Sequence, residues 1–412
     1  MQMTSTINVQ FSPPFIDEDV KREVLSTLES GWITTGPKVK ALEKEIALFC
    51  NTEVALGVSS ATAGLQLLLH WLGIEKGDEV IIPAYTYCAT AFAAMHAGAT
   101  VKMVDVQQDF TIDIDAIETA ITTKTKAIIL VDIAGWPCNY EAAYSLLQKK
   151  AVQDLFTPTS EVQQKLGRIF ILADAAHSLG AIYRNRRTGM LADATVFSFH
   201  AVKNITTAEG GMICLNLSYP FDNPEVYKTL RLWTLNGQTK DALSKSITGT
   251  WRYDVVYPGF KINLPDVLAA IGLAQFKKFK KILAQRKRIC NAYDAAFQQY
   301  EWAICPPFHK QYCESSYHLY PLRIGGITEQ QRDEIIDYIN EEGISVNVHF
   351  IPLPMLTVFK ENGFDISDYP VSYTLFANEI SLPVYPQLKP EVCEYIIQVV
   401  INAVNKVLHE KR

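Results

Sequence analysis

Short apolar runs recur along the first half of the chain. They are rich in Val, Ile and Leu at successive positions rather than at every second one, and they lie at 53–60, 78–87, 100–106, 125–135, 168–176 and 193–201. Runs of this kind are typical of strands in a parallel sheet that is covered on both faces. The pattern therefore predicts an α/β fold in which helices cover both faces of a mostly parallel sheet, a three-layer α/β/α arrangement.

Segments with apolar residues at helical spacing lie around these runs. We expect helices at 17–30, 38–51, 61–74, 88–99 and 113–121, the first of them with acidic residues in its first turn, as helix starts prefer. Residues 265–300 indicate one long helix, and the mixed pattern beyond it predicts a smaller α+β domain. We place the boundary within the long helix, with a large domain at 1–280 and a small domain at 281–412.

The composition excludes several classes of protein. The chain has 412 residues and a net charge of −6, so nucleic-acid binding is not expected. The densest basic stretch, 276–288, interleaves lysines with apolar residues at helical spacing and is interpreted as the solvated face of a helix. The eight cysteines are all single, which is typical of reduced thiols in a cytoplasmic protein and predicts no metal site. Neither a signal pattern nor an apolar window of about 18 residues is found, so no membrane association is expected.

Candidate chemistry lies just after the strands, because ligands of such sheets gather at the carboxyl ends of the strands. Ser60, Ala61 and Thr62 open a helix, whose N-terminus either binds an anion or is an ordinary N-cap. Tyr87 either stacks on a planar cofactor or fills the core. Asp174 ends a buried strand, where its carboxylate either pairs with a cation or caps the next segment.

The stretch FSFHAVKNITTAEGG, at 197–211, contains one lysine among apolar and small residues. A buried lysine has a depressed pKa, which makes the amine of Lys203 nucleophilic enough for Schiff-base chemistry. The alternative is a lysine that extends its ammonium group into water. Ser198 and His200 precede it, and we place His200 near the site without assigning it a role.

These four features together match the needs of one cofactor, pyridoxal 5′-phosphate (PLP). Its phosphate fits a helix N-terminus, its ring an aromatic face, its pyridine nitrogen a carboxylate and its aldehyde a lysine. Since all four would lie at one edge of one sheet, the sequence predicts a PLP site there.

The chain resembles the sugar-nucleotide aminotransferases of the DegT/DnrJ/EryC1/StrS family, and most closely those that make 4-amino sugars for bacterial surface glycans. The resemblance implies the fold type I of PLP enzymes, related to aspartate aminotransferase. Its motifs cover most of the chain, and they are GWITTGPKVKALEKEIA, SSATAGLQLLL, PAYTYCATAFAA, ADAAHSLGA, FSFHAVKNITTAEGGMI, GFKINLPDVLAAIGLAQ and SLPVYPQL.

The resemblance also implies residue roles and partners. Lys203 would bind the cofactor aldehyde as a Schiff base and move protons, Asp174 would pair with the pyridine nitrogen, and His177 would lie near the ring. The remaining cofactor contacts would come from Ser60, Ala61, Thr62, Tyr87, Ser198 and Asn263. The sugar nucleotide would lie near Thr34, Thr35, His349 and His200.

Asn263 would reach the phosphate of a neighbouring subunit, so a homodimer with active sites at the subunit interface is expected. L-Glutamate would donate the amino group and leave as 2-oxoglutarate, and a keto-sugar nucleotide would accept it.

The chain departs from the family pattern at two places. The span from Glu141 to Gly167 is longer than usual, and we expect its segment DLFTPTSEVQQ to be an inserted polar surface loop. Ile262 and Pro265 replace the family's usual Tyr and its Thr or Ser, which affects the substrate pocket rather than the cofactor site.

Two other functions compete with aminotransfer. A PLP-dependent sugar dehydratase or deoxygenase of this family would have histidine in place of Lys203. A non-catalytic regulatory protein of the same fold would not need the full set of cofactor residues, and this sequence has no appended DNA-binding segment.

Overall fold

A seven-stranded sheet forms the centre of the protein in a computed structural model that describes residues 8–240 and 251–409. Its strand order is β1-β9-β8-β5-β4-β2-β3, and β9 alone runs antiparallel to its neighbours. The predicted mostly parallel α/β fold is therefore confirmed. The strands are β1 Val54–Val58, β2 Glu79–Pro83, β3 Thr100–Val104, β4 Thr125–Val131, β5 Phe170–Asp174, β8 Ala194–Ser198 and β9 Gly211–Leu215.

Alternate residues of these strands point into two separate cores, one on each face of the sheet. Val80 and Ile82 of β2 pack in one core, and Ile81 between them packs in the other. The two cores are closed by helices, which explains why the strands are apolar at successive positions. The helices before residue 300 are α1 Glu18–Glu29, α2 Pro37–Cys50, α3 Ala61–Trp71, α4 Cys88–His96, α5 Ile114–Ala120, α6 Tyr140–Leu147, α7 Lys150–Leu155, α8 Glu161–Leu166, α9 Asn223–Trp233, α10 Asp266–Phe276 and α11 Phe279–Phe297.

A third core and two small antiparallel sheets complete the described part of the chain. One sheet has the order β10-β13-β14 and the other β11-β12-β6-β7. Their strands are β6 Ile182–Tyr183, β7 Arg186–Arg187, β10 Ala303–Ile304, β11 His309–Lys310, β12 Cys313–Glu314, β13 Tyr320–Ile324 and β14 Glu379–Leu382. The remaining helices are α12 Glu329–Glu341, α13 Thr357–Glu361, α14 Pro370–Asn378 and α15 Pro390–His409, with 3₁₀ turns at Ile133–Gly135, Leu353–Met355 and Ile366–Asp368.

Helix α11 links two of the cores. Phe279 at its start packs in a core of the central sheet, whereas Ile289 and Phe297 pack in the third core with residues from α12, β14 and α15. The third core also includes Val9 from the N-terminal segment. The division of the chain at 280/281 stays a prediction, and the change of core along α11 is the feature that supports it.

The expectation of one long helix at 265–300 was wrong. The segment forms α10 and α11, which are separated at Lys277 and Lys278. The Lys278 ammonium pairs with both Asp17 and Asp19 at the start of α1, and Lys277 pairs with Glu23. Lys278, at the break, thus connects the two helices to α1.

The expected polar surface loop at 154–164 was confirmed in part, since residues 156–160 form a loop and most of the segment is exposed. Residues 161–164, however, begin α8, and Gln163 is fully buried, with its amide donating to the Leu72 carbonyl oxygen over 3.2 Å. Ser160 caps α8 and donates to the same carbonyl over 2.7 Å. The segment is therefore packed against the end of α3. Among the described helices, none is long and apolar enough to cross a membrane.

Candidate active site

Lys203 lies in the loop between β8 and β9, just beyond the carboxyl edge of the sheet. Its backbone N–H donates to the His200 carbonyl oxygen over 3.0 Å, and its side chain is partly buried. Burial lowers the pKa of Lys203 to about 8, Asp174 opposes this shift, and the charge of Arg286 adds to it. About a tenth of the amine is therefore unprotonated at pH 7, far more than for an exposed lysine, and the unprotonated form is the nucleophile.

Asp174 ends β5, the strand next to β8, with its side chain buried. Its carboxylate accepts from the Thr90 hydroxyl over 2.8 Å and from the Ala176 N–H over 3.3 Å. Burial raises the pKa of Asp174, and these two donors and the charge of Lys203 partly offset the shift. The structure thus brings Lys203 and Asp174 together at adjacent strand ends.

His177 is buried beside them in the loop after β5. Its Nδ1 accepts from the Ala134 N–H over 3.2 Å, and its ring centroid lies 4.4 Å from that of His318 and 5.9 Å from that of Phe350. Burial and the nearby Lys203 hold the pKa of His177 well below its usual range. His177 is therefore a neutral ring fixed by its backbone contact.

His318 belongs to the same cluster, although sequence reasoning did not select it. It is buried, and its Nδ1 lies 2.9 Å from the Asn204 amide oxygen, one residue from Lys203. Burial, His177 and Lys203 hold its pKa well below the usual range. No sequence pattern pointed to His318, because its chain segment reaches the site only through tertiary packing.

Arg286 is another residue that the sequence interpretation missed. Its side chain is only 2% exposed, although it belongs to the basic stretch that we expected to face solvent. One guanidinium nitrogen donates to the carbonyl oxygens of His318 and Val384, over 3.1 and 2.9 Å. Burial lowers the pKa of Arg286 to about 10. The signal was present in the sequence, because Arg286 lies seven residues after Phe279 and four before Cys290, on the apolar face of α11.

The N-terminus of α3 lies at the same sheet edge. Ser60 is its N-cap and accepts from the Ala63 N–H over 3.1 Å, while anion binding at this helix end stays a prediction. Ala61 and Thr62 form the first turn, and a Cβ at Gly211 would come within 2.7 Å of the Ala61 nitrogen. Glycine at 211 is thus needed for β9 to approach this helix end. Ser198 ends β8, and its hydroxyl oxygen accepts from the His200 N–H over 3.3 Å.

Tyr87, the expected stacking residue, is 58% exposed at the start of α4. Its ring centroid lies 5.7 Å from that of Phe350, whose ring also lies near His177. One face of the site is therefore aromatic, with Phe350 linking Tyr87 to His177.

His349, in the segment between α12 and α13, also lies near Lys203. It lies beside Phe350, and its ring stacks on Phe11 at 5.4 Å between centroids. Its Nδ1 is 2.9 Å from the Ser381 hydroxyl, and its N–H donates to Glu379 over 2.9 Å. Burial and the charge of Lys203 lower the pKa of His349 to about 3, so the ring is neutral.

Thr35 and Asn263 form a hydrogen-bonded pair next to β1. The Asn263 amide donates to the Thr35 hydroxyl over 2.6 Å, and Thr35 donates to the Leu264 carbonyl oxygen over 2.5 Å. Asn263 also bridges to Val58, at the end of β1. Thr34 is partly buried, and its carbonyl oxygen accepts from the Asp266 N–H over 3.2 Å. The structure thus places this group near the start of α3.

His200 is the least integrated of the expected residues. Its side chain is about half exposed and faces Glu209, with 3.7 Å between Nε2 and the carboxylate. No described contact ties it to Lys203 beyond the backbone hydrogen bond of the loop.

Comparisons with known proteins give a consistent result. A model of the DegT/DnrJ/EryC1/StrS aminotransferase family matches residues 14–156 and 157–401. SpsC of Bacillus subtilis, a spore coat polysaccharide biosynthesis protein, is 35% identical, over 96% of this chain and 96% of its own.

Two solved structures extend the comparison. Spr1654 of Streptococcus pneumoniae, described as a sugar aminotransferase, is 43% identical with a TM-score of 0.94 over 98% of this chain and 100% of its own, in a form with pyridoxamine phosphate (PMP). Spr1654 is also known in a PLP form. PseC of Helicobacter pylori, an aminotransferase of pseudoaminic acid biosynthesis, is 28% identical with a TM-score of 0.83 over 97% of this chain and 100% of its own.

Proposed function

The chain belongs to the DegT/DnrJ/EryC1/StrS aminotransferase family, and from this premise we propose that it moves the amino group of L-glutamate to the keto carbon of a sugar nucleotide. Membership confirms the resemblance and the expectation of a PLP-dependent aminotransferase. The observation that carries the proposal is the partly buried Lys203 beside the buried Asp174, at adjacent strand ends. The product would be an amino sugar for a surface polysaccharide, in keeping with the named roles of SpsC and PseC.

The residues at this edge fit PLP. The Asp174 carboxylate is buried, yet among the described residues no cationic group lies within ion-pair distance of it. A protonated pyridine nitrogen is the partner that such a carboxylate lacks. The first turn of α3, with Ser60, Ala61 and Thr62, suits a phosphate. We assign the other contacts to Ser198, Tyr87, His177 and Lys203, and we assign Asn263 to the phosphate bound in the neighbouring subunit.

Bound PLP supplies an electron sink that weakens the bonds at the carbon next to the transferred nitrogen. Lys203 takes the proton from the α-carbon of L-glutamate and, in the second half of the reaction, delivers a proton to the sugar carbon that receives nitrogen. Asp174 keeps the pyridine nitrogen protonated by its negative charge. His177 stays neutral, so it adds no positive charge that would compete with that proton.

We propose that the working unit is a homodimer, in which Asn263 reaches the phosphate bound in the partner's site. Large apolar side chains are exposed in the segment before Asn263, where Trp251 is 72% and Val256 57% exposed. Exposed apolar groups close together are typical of a surface that is covered by a partner. Tyr87 and Ile33 are further exposed apolar side chains.

A panel of 4-keto and 3-keto sugars linked to UDP, dTDP or GDP tests the substrate class. Each is incubated with the holoenzyme and L-glutamate, and mass spectrometry looks for the exchange of one oxygen for NH. Borohydride treatment should fix the pyridoxyl group on the peptide that contains Lys203. Lys203→Ala should lose both signals, and Lys228→Ala, at an exposed site on α9, should keep both. Turnover by Lys203→Ala would overturn the mechanism, and failure on every sugar nucleotide would overturn the substrate class.

A further inference from the structure

Ser381 links His349 to the carboxylate of Glu379, which takes no part in the proposed chemistry. The Ser381 hydroxyl lies 2.9 Å from His349 Nδ1 and 2.5 Å from Glu379 Oε1. The other carboxylate oxygen, Oε2, accepts from the backbone N–H of His349 over 2.9 Å. The three side chains therefore form one chain of hydrogen bonds, Glu379 to Ser381 to His349.

Glu379 is an unusual residue at its position. It opens the buried strand β14 and is 0% exposed. Among the described residues no cation lies within ion-pair distance of its carboxylate, since Arg332 donates to the carbonyl oxygens of Phe376 and Glu379 rather than to the carboxylate. Burying an ionised carboxylate without a cation is costly, so Glu379 depends on the two hydrogen bonds that it accepts from Ser381 and from the His349 N–H.

The number of protons in this chain of hydrogen bonds couples the protonation of Glu379 to the tautomer of His349. Ser381 has one hydroxyl proton, so it can donate to Glu379 or to His349, but not to both. When Glu379 is ionised, Ser381 donates to it and must accept from Nδ1–H, which leaves Nε2 of the neutral ring as an acceptor. When Glu379 is protonated, both bonds reverse, and Nε2 carries the proton as a donor.

We propose that Glu379 and Ser381 are positioning residues that hold the His349 ring and determine which of its two nitrogens carries the proton presented to the sugar substrate. This step rests on the proposed function only for the identity of the group that Nε2 meets. The hydrogen-bond chain itself is independent of any substrate.

Other charged and titratable groups face the same cluster. Arg332 on α12 and the buried Tyr85 after β2 face Glu379, and Lys203 faces His349. Burial raises the pKa of Glu379 to about 8, which Ser381, the His349 N–H and Arg332 oppose. Burial holds the pKa of His349 to about 3, so the ring stays neutral while Glu379 titrates.

Selective ¹⁵N labelling of histidine in the holoenzyme tests the hydrogen-bond chain, with His349→Gln to assign the signal. As the pH rises from about 6.5 to about 9.5, across the titration of Glu379, the proton should move from Nε2 to Nδ1 of His349. In Ser381→Ala the tautomer should stop responding to pH, because the connection is broken. The alanine keeps the backbone pairing of residue 381 with Asn347, so β14 should fold normally.

Glu379→Gln gives a sharper result. Its amide oxygen must stay at Oε2 to accept from the His349 N–H, which directs the NH₂ group to Ser381. The variant should therefore hold the Nε2–H tautomer at every pH. Ser372→Ala is the matched control, since it removes a buried hydroxyl that donates to Asp105 over 2.6 Å instead. A His349 tautomer that still responds to pH in Ser381→Ala as it does in the wild type, or an Nδ1–H tautomer in Glu379→Gln, would overturn the proposal.

Kinetics separate this proposal from the proposed function. Ser381→Ala should raise KM for the keto-sugar nucleotide about 3- to 10-fold, the size expected for one neutral hydrogen bond, with little change in KM for glutamate. If the His349 tautomer behaves as expected but the protein accepts no sugar nucleotide, the hydrogen-bond chain is supported and the proposed substrate class is contradicted. Equal changes in both KM values would reject the assignment of His349 to the sugar.

Discussion

Asp132 and Asp174 follow or end neighbouring strands of the same sheet, yet their surroundings differ. Asp132 accepts from the Cys138 N–H, the Tyr140 hydroxyl and the Ser178 hydroxyl, over 2.9, 3.0 and 2.7 Å. Asp174 accepts hydrogen bonds from one hydroxyl and one backbone N–H, and the nearby charged group is that of Lys203. Both carboxyl groups are buried, but only Asp132 has its oxygens occupied by the protein's own donors. A buried carboxylate with free acceptor capacity indicates a ligand, whereas a saturated one indicates structure.

Neutralising the two carboxylates one at a time should give the largest difference in kcat/KM between variants. Asp174→Asn should lower kcat/KM by about 10²- to 10³-fold, because a preorganised charge at the reacting cofactor is lost. Asp132→Asn should stay within about tenfold, since Asp132 touches no reacting group. Steady-state kinetics with saturating PLP measure both variants. Equal losses would show that the two carboxylates do not differ in role.

The pH dependence of the free energy of unfolding should reveal the contribution of Asp132. Burial raises its pKa to about 6 from 3.8, so between these pH values the native state binds more protons than the unfolded state. Its contribution should therefore fall by about 3 kcal/mol as the pH rises from 4 to 6, and stay constant above pH 6. The difference in free energy of unfolding between wild type and Asp132→Asn, from urea titrations at each pH, measures it. A difference that rises with pH would contradict this sign.

Removing a donor from Asp132 should destabilise the fold. Ser178→Ala leaves the ionised carboxylate short of one hydrogen bond, at a cost of about 1–3 kcal/mol at pH 7. The cost should shrink below the pKa of Asp132, where the group is neutral. Urea unfolding at pH 7 and at about pH 4.5 provides the comparison. The same cost at both pH values would mean that the lost packing, not the charge, decides the effect.

The matching change at Asp174 should affect activity more than stability. Thr90→Val removes the 2.8 Å hydrogen bond and should lower kcat/KM about tenfold, since bonds to charged groups contribute about 1.5–3 kcal/mol. Thr86→Val removes the hydroxyl one bond further away, at 3.0 Å from Thr90, and serves as the control. If the control loses as much activity as Thr90→Val, the direct bond to Asp174 is not the cause.

Much of the sheet, and several residues of the candidate active site at the carboxyl ends of its strands, could be predicted from sequence, because both depend on local pattern. Continuous apolar runs gave the parallel strands, and the hydroxyl at Ser60 gave the cap of α3. Lys203 and Asp174 were selected because a charged residue at or after the end of a buried strand is unusual, and their roles stay predictions. Asp132 follows β4 in the same way, so this pattern alone does not separate a ligand site from a structural carboxylate. Arg286 was also identifiable from its helical phase, but its basic neighbours concealed it.

The sequence by itself determined the strand ends, the residue types placed there and the family. Only the tertiary structure decided which of two similar carboxylates keeps free acceptor capacity, since Ser178, a donor to Asp132, lies beyond β5, and Thr90, the hydroxyl donor to Asp174, lies on α4. It also decided that Glu379, Ser381 and His349 meet, across 30 residues of chain. Hydrogen-bond saturation and burial depend on groups that are distant in sequence, so no local pattern encodes them.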